Sequence, residues 1–187
     1  MPLRIATYNV HGWVGPDGLP NPSRAVRLLR RLDCDVVALQ EVTRGFGFRV
    51  PRRDGGGVPP DIDVVARALG MRVVEANAGW GSNVVLARIP LLRAESVSLG
   101  DGPAGPRSAA LATLETPCGP VVFASTHLDV LDESARVRQL RTLAGAIGRR
   151  EAVVLGDFNS LRFADYSRVR LREIAEERED ADVEEPR

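Results

Sequence analysis

The stretch Ala152-Val-Val-Leu-Gly-Asp-Phe-Asn-Ser160 constrains the fold more than any other part of the chain. Apolar, β-favouring residues run into a glycine, and an aspartate and an asparagine follow two apart. The run reads as a buried strand that ends in a turn at Gly156. Such an ending leaves Asp157 and Asn159 at the edge of a sheet, facing a cleft where open α/β sheets place ligands. Turns recruit Gly, Asp and Asn for local reasons too. The pattern gains meaning because it recurs. Asn9 follows the first apolar strand, Glu41 follows Val-Val-Ala-Leu with only Gln40 between, and His127 and Asp129 follow Val-Val-Phe-Ala-Ser-Thr.

A carboxylate at the end of a buried strand must be paired, hydrogen-bonded or bound to a metal. This set offers mostly oxygen donors, which suit Mg²⁺ or Mn²⁺ better than Zn²⁺. The chemistry it suggests is metal-assisted attack of water on a phosphate ester.

The remaining elements fall into order around these tips. Residues 3–10 and 35–41 read as strands, with a helix between them capped by Asn21 or Ser23 and carrying Ala25, Val26, Leu28, Leu29 and Leu32 at helical spacing. Residues 43–60 form a Gly-, Pro- and Arg-rich loop without periodicity. Residues 61–69 form a short helix stopped by Gly70. Strands follow at 72–76, 83–87, 92–99, 109–115 and 121–126, joined by turns at Gly79-Trp80-Gly81, Gly100-Asp101-Gly102 and Pro117-Cys118-Gly119. A helix at 132–149 leads into the strand at 151–155. One domain over residues 1–162 and a charged helical or disordered tail over 163–187 are expected, with 175–187 too poor in apolar residues to pack. Helix–strand units flanking hairpins point to a mixed sheet or two packed sheets, covered by helices.

Composition narrows the partners. Lys+Arg and Asp+Glu both number 25 in the 187 residues, so the formal charge is zero. That argues against a broad basic face for nucleic acid, though not against a small anion held by a few arginines. The basic residues are all arginine. Cys34 and Cys118 lack metal-ligand spacing and read as buried free thiols. No apolar run is long enough to span a bilayer, and the N-terminus lacks a signal-peptide core. A cytoplasmic monomer is expected.

Six ordered motifs carry a resemblance: TYNVHG (7–12), LQEV (39–42), GSNVVLARIPL (81–91), PRSAALATL (106–114), STHLD (125–129) and VVLGDFNS (153–160). In that order and spacing the chain resembles the endonuclease/exonuclease/phosphatase superfamily over about residues 3–162. The resemblance implies an α+β fold, the four-layer α/β/β/α sandwich of deoxyribonuclease I. It implies that Glu41 ligates a divalent metal (Mg²⁺ or Mn²⁺), with Asn9 a ligand or beside it. It implies that His127 contacts the scissile phosphate, Asp157 positions or activates the attacking water, and Asn159 holds a phosphate oxygen. The substrate would be a phosphate ester: nucleic acid, phospholipid head group or small phosphorylated molecule. The family's closing Ser-Asp-His segment has no counterpart here, because His11 and His127 are the only histidines. The chain therefore reads as truncated at the C-terminus, with the second sheet incomplete. A non-catalytic remnant that binds a phosphorylated ligand or partner is the alternative to an enzyme.

Other residues remain open. Asn83, Arg107, Asp129 and His11 are candidates for substrate binding. Arg107 is either a phosphate clamp or a surface charge, and Asp129 either touches substrate or hydrogen-bonds its own turn. His11 is either catalytic or merely lines the pocket. Trp13 and Trp80 lie near loops that line a pocket, Trp80 reading rather as packing. Arg49–Arg53 is a phosphate-steering loop or a solvated linker.

Overall fold

The computed structural model describes residues 2–15, 17–19, 22–43, 61–78, 81–160, 164 and 166–180. Eight strands and four helices are arranged as β1 (Ile5–Asn9), α1 (Pro22–Leu32), β2 (Val36–Val42), α2 (Ile62–Leu69), β3 (Arg72–Ala78), β4 (Gly81–Ala87), β5 (Leu91–Gly102), β6 (Gly105–Thr116), β7 (Gly119–His127), α3 (Glu133–Ile147), β8 (Ala152–Asp157) and α4 (Arg168–Asp180). They form two four-stranded sheets, ordered β1-β2-β4-β3 and β5-β6-β7-β8. Each sheet has one parallel pair, β1 with β2 and β7 with β8, and the crossover between its members carries a helix, α1 or α3.

Alternation along the strands sorts the apolar residues into three layers. Val36 of β2, Val85 and Ala87 of β4, and Ala110, Ala112 and Phe123 of the second sheet fill the space between the sheets. Val37, Leu39, Val84 and Leu86 point the other way and pack on Leu29 of α1 and Ile62, Val65 and Leu69 of α2. On the far side, Leu111, Val122 and Ala124 meet Leu143 and Ile147 of α3. Helix, sheet, sheet, helix is the expected four-layer α/β/β/α sandwich.

Polar bridges fix how the two sheets sit on each other. Gln40, 1% exposed, donates through Nε2 to Ser125 Oγ at 3.0 Å, and that hydroxyl donates to the Leu39 carbonyl at 3.0 Å. Asn83 Nδ2 donates to the Ser108 carbonyl at 2.9 Å, and Ser108 Oγ to the Ala76 carbonyl at 3.2 Å. Buried polar groups satisfied in this way specify one register between layers that apolar contacts alone leave loose. The outer strands β1 and β8 lie against each other at one side of the sandwich. The second sheet ends at β8, whose Val153, Val154 and Leu155 are only partly buried.

Several local readings change. Gly100-Asp101-Gly102 is not a turn: it lies inside β5, where a bulge leaves Leu99 without a partner, Gly100 takes φ 84°, and the chain reverses at Pro103-Ala104. Leu28 and Leu32 are each 43% exposed, because only the Ala25/Leu29 stripe of α1 is buried. Cys118 is exposed and only Cys34 is buried. Trp13 is a core residue at 2% exposure, not a pocket wall. Residues 175–180 continue α4 rather than fraying, helped by Ile174, which is buried, and by an i,i+3 pair of Arg170 with Glu173. Trp80, the 44–60 loop with Arg49–Arg53, and 181–187 fall outside the described residues.

Asp132 caps α3, accepting from the backbone N–H groups of Ser134 at 2.9 Å and Ala135 at 3.1 Å. Asp132→Ala is expected to lower the unfolding free energy by about 1 kcal/mol. Denaturant titration reads this directly, and an unchanged midpoint would mean that solvent replaces the cap.

Candidate active site

The ends of β1, β2, β7 and β8 and the beginnings of β4 and β6 open into one cleft of about 530 Å³. Such a volume suits a small ligand or one segment of a larger one. Eight of the nine site residues expected from sequence line it. Asp129 alone does not.

Glu41 reaches the cleft through a backbone irregularity. Leu39 pairs with Val84 but Val42 with Ser82, so β2 carries one residue more than β4 over this stretch. Glu41 is the residue that absorbs the difference, with φ 55°. A bulge re-aims a side chain at the cost of local strain. The neighbouring strand must give way: a Cβ on Gly81 would stand 3.1 Å from the Glu41 Cα, so glycine permits this close approach.

The two sheets contribute opposite halves of a polar cluster. From the first, Asn9 Nδ2 donates to Glu41 Oε1 at 2.7 Å and to Asp157 Oδ2 of the second sheet at 3.1 Å. Its Oδ1 accepts the His11 N–H at 2.8 Å. Asn9 is thus a strut between the two carboxylates, with both ends of its amide engaged. His127 lies between the same carboxylates, Nδ1 at 3.7 Å from Glu41 Oε1 and Nε2 at 3.9 Å from Asp157 Oδ2. Burial pushes the His127 pKa below its ordinary value. Asp157 and Glu41 oppose that shift and Arg107 adds to it. Burial thus favours the neutral imidazole, which presents one N–H.

Asp157 and Asn159 leave β8 through a tight turn. The Asn159 N–H donates to Asp157 Oδ1 at 3.1 Å, and Asn159 takes φ 49°, a left-handed conformation that asparagine tolerates. Asn159 Nδ2 donates to the Leu128 carbonyl at 2.9 Å, which ties the β8 tip to the β7 tip.

Arg107 is half-buried in the cleft wall rather than a surface charge. Burial lowers its pKa from the ordinary value, against the opposing charges of Asp129, Glu41 and Asp157. Its Nε, like Oδ1 of the 4%-exposed Asn83, is buried without a partner among the described residues. His11 stands at the cleft with a side chain 74% exposed, its Nδ1 at 3.4 Å from Glu41 Oε2.

Of the two readings of Asp129, the structure bears out the hydrogen-bonded turn and not substrate contact. Asp129 is fully buried, and its carboxylate accepts from the N–H groups of Ala104 (3.0 Å), Leu131 (2.8 Å) and Asp132 (3.0 Å). It clamps the β5–β6 turn to the loop before α3. Sequence reasoning missed Gly81, and it missed the Gln40–Ser125 bridge beneath the site, although a glutamine ending an apolar run was a visible signal. It also missed Tyr166, which lines an adjoining cavity of about 490 Å³ shared with Asn9 and Asp157.

The donor set can be tested against a divalent cation. Among the described residues no three His, Cys, Asp or Glu side chains form a metal cage. A closed zinc-type site is therefore not built here. Mg²⁺ and Mn²⁺ differ in that they keep several waters and need only one or two carboxylates besides substrate oxygens. Glu41, with Asp157 nearby, fits that pattern.

The fold is a four-layer sandwich with an acid, amide and imidazole cluster split between its sheets. The chain belongs to the Endonuclease/Exonuclease/phosphatase family, whose sequence profile matches residues 6–174. Among solved structures it is similar to an endonuclease/exonuclease/phosphatase from Beutenbergia cavernae, with 27% identity and a TM-score of 0.65. That match covers 84% of this chain and 47% of the other, so the chain spans about half the length of that relative. A family protein from Leptotrichia buccalis shares the fold at 15% identity and TM-score 0.68, covering 94% of this chain and 72% of that one. A mannosyl-6-phosphatase from Bacteroides thetaiotaomicron does so at 17% identity and TM-score 0.58, covering 86% and 67%. No curated protein sequence matches the chain.

Proposed function

We propose that the cleft hydrolyses a phosphodiester or phosphomonoester with the help of a divalent cation, Mg²⁺ or Mn²⁺. One observation carries this reading. Asn9 holds Glu41 of one sheet and Asp157 of the other within hydrogen-bond reach of a single amide, with His127 between them. Of the two carboxylates joined by this amide, one would hold the cation and the other would accept a proton. Membership of a phosphoesterase family and the phosphatase among its structural neighbours support the same chemistry.

Each group has a part in this scheme. Glu41 would hold the cation, which when bound would offset charge developing on the phosphoryl oxygens. Asp157 orients the attacking water and takes its proton. The neutral His127 donates its N–H to a phosphoryl oxygen, and Asn159 offers the second hydrogen of its amide. Arg107 and Asn83, which line the cleft, bind a more distant part of the substrate.

The test uses the chain on paired chromogenic substrates, p-nitrophenyl phosphate and bis-p-nitrophenyl phosphate, with Mg²⁺ or Mn²⁺. Hydrolysis of at least one is expected, lost on adding a chelator and regained on restoring the cation. Metal binding without turnover on a wider ester panel would replace the enzyme with a phosphate-binding remnant. Chelator-insensitive turnover would defeat the proposed chemistry.

A further inference from the structure

The turn after β1 is more strained than a connector needs to be. His11, Gly12 and Trp13 follow one another with φ of 49°, 59° and 63°. Non-glycine residues in this region are disfavoured and persist only when their surroundings over-determine them. Here they are held from both ends. The Trp13 ring is locked in the core, and the His11 N–H is bound to Asn9 Oδ1. What the strain delivers is the His11 imidazole, set at the cleft beside Glu41.

The spacing of that pair is informative. Nδ1 to Oε2 is 3.4 Å, longer than the usual hydrogen bond of about 2.7–3.2 Å. Two donors bound to one cation at about 2.1–2.2 Å stand roughly 3.0–3.4 Å apart, depending on the angle between the bonds. The other carboxylate oxygen, Oε1, already takes the Asn9 amide at 2.7 Å and faces His127. Oε2 is the oxygen turned towards His11. Asn9, the side chain expected to share the cation with Glu41, has both ends of its amide in hydrogen bonds.

We propose that His11 is a ligand of the divalent cation, its Nδ1 binding beside Glu41 Oε2. This rests on the reading that the cleft holds a divalent cation. An imidazole donor raises affinity for first-row transition ions over that of an oxygen-only site. The site is then a Mn²⁺-preferring one, with Mg²⁺ the weaker occupant.

Pulsed electron paramagnetic resonance of Mn²⁺ bound to the full chain tests this without any turnover. Wild-type protein and His127→Gln are expected to show hyperfine coupling to one directly bound imidazole nitrogen. His11→Gln is expected to lose it, with the Mn²⁺ Kd raised about 10-fold or more and Mg²⁺ affinity changed much less. The side chain is exposed, so an unchanged melting temperature should show that His11→Gln remains folded. Bound Mn²⁺ without nitrogen coupling, or coupling that survives in His11→Gln, overturns the assignment while the phosphoesterase reading stands. No Mn²⁺ binding by wild-type protein overturns both.

Discussion

Glu41→Gln is expected to lower kcat/KM for any chelator-sensitive hydrolysis by about three orders of magnitude, roughly 4 kcal/mol of transition-state stabilisation. The substitution keeps the shape of the side chain and an acceptor for the Asn9 amide, so the strut to Asp157 survives. What is lost is the charge that retains the cation. Folding stability should change by less than about 1 kcal/mol, because the variant also removes one of two like charges that share a single amide. Asp157→Asn should match it in activity. The double variant should fall little further than either alone, since residues that act as a unit are far from additive. Steady-state kinetics beside thermal unfolding separate the two effects. A loss below tenfold in both single variants would place the chemistry elsewhere.

Gly156→Ala is expected to destabilise the fold by about 3 kcal/mol or more, and to remove activity with it. Gly156 pairs with Thr126 in the parallel ladder of β7 and β8. An added Cβ would collide with the Thr126 carbonyl oxygen, and its carbonyl carbon would stand only 2.9 Å away. Backbone cannot yield as a side chain can, so β8 would have to part from β7. Asp157, the next residue, would move with it, and so would the Leu128 N–H bound to its carbonyl. Urea unfolding gives the measure, a lower midpoint at an unchanged slope. A midpoint equal to that of the wild type would show that the ladder can flex here.

The contrast between Asp157 and Asp129 shows what sequence can and cannot carry. Both follow an apolar strand, and both read as carboxylates a core would reject. Asp157 faces the cleft because it ends β8 directly. Asp129 lies two residues beyond β7, where the chain already curves, and the N–H groups of Ala104, Leu131 and Asp132 claim it. One of those partners is 25 residues distant, and nothing in STHLD announces it. Arg107 was left open in the sequence, as a phosphate clamp or a surface charge, and the packed sheets place it half-buried in the cleft wall. The layers were legible because β2, β4, β6 and β7 carry continuous apolar runs, the mark of strands buried on both faces. The β2 bulge was not, since a one-residue excess shows only once the partner strand is known.

The first sheet is built from residues 5–87 and the second from 91–157, each an unbroken stretch of chain. Asn9, His11, Glu41 and Asn83 come from the first stretch, and Arg107, His127, Asp157 and Asn159 from the second. Neither half holds a site by itself. The two sheets share one apolar core, so the candidate site exists only where the halves are docked in register. Any substitution that loosens that core will therefore separate the polar groups of the cleft before it unravels either sheet's own ladder.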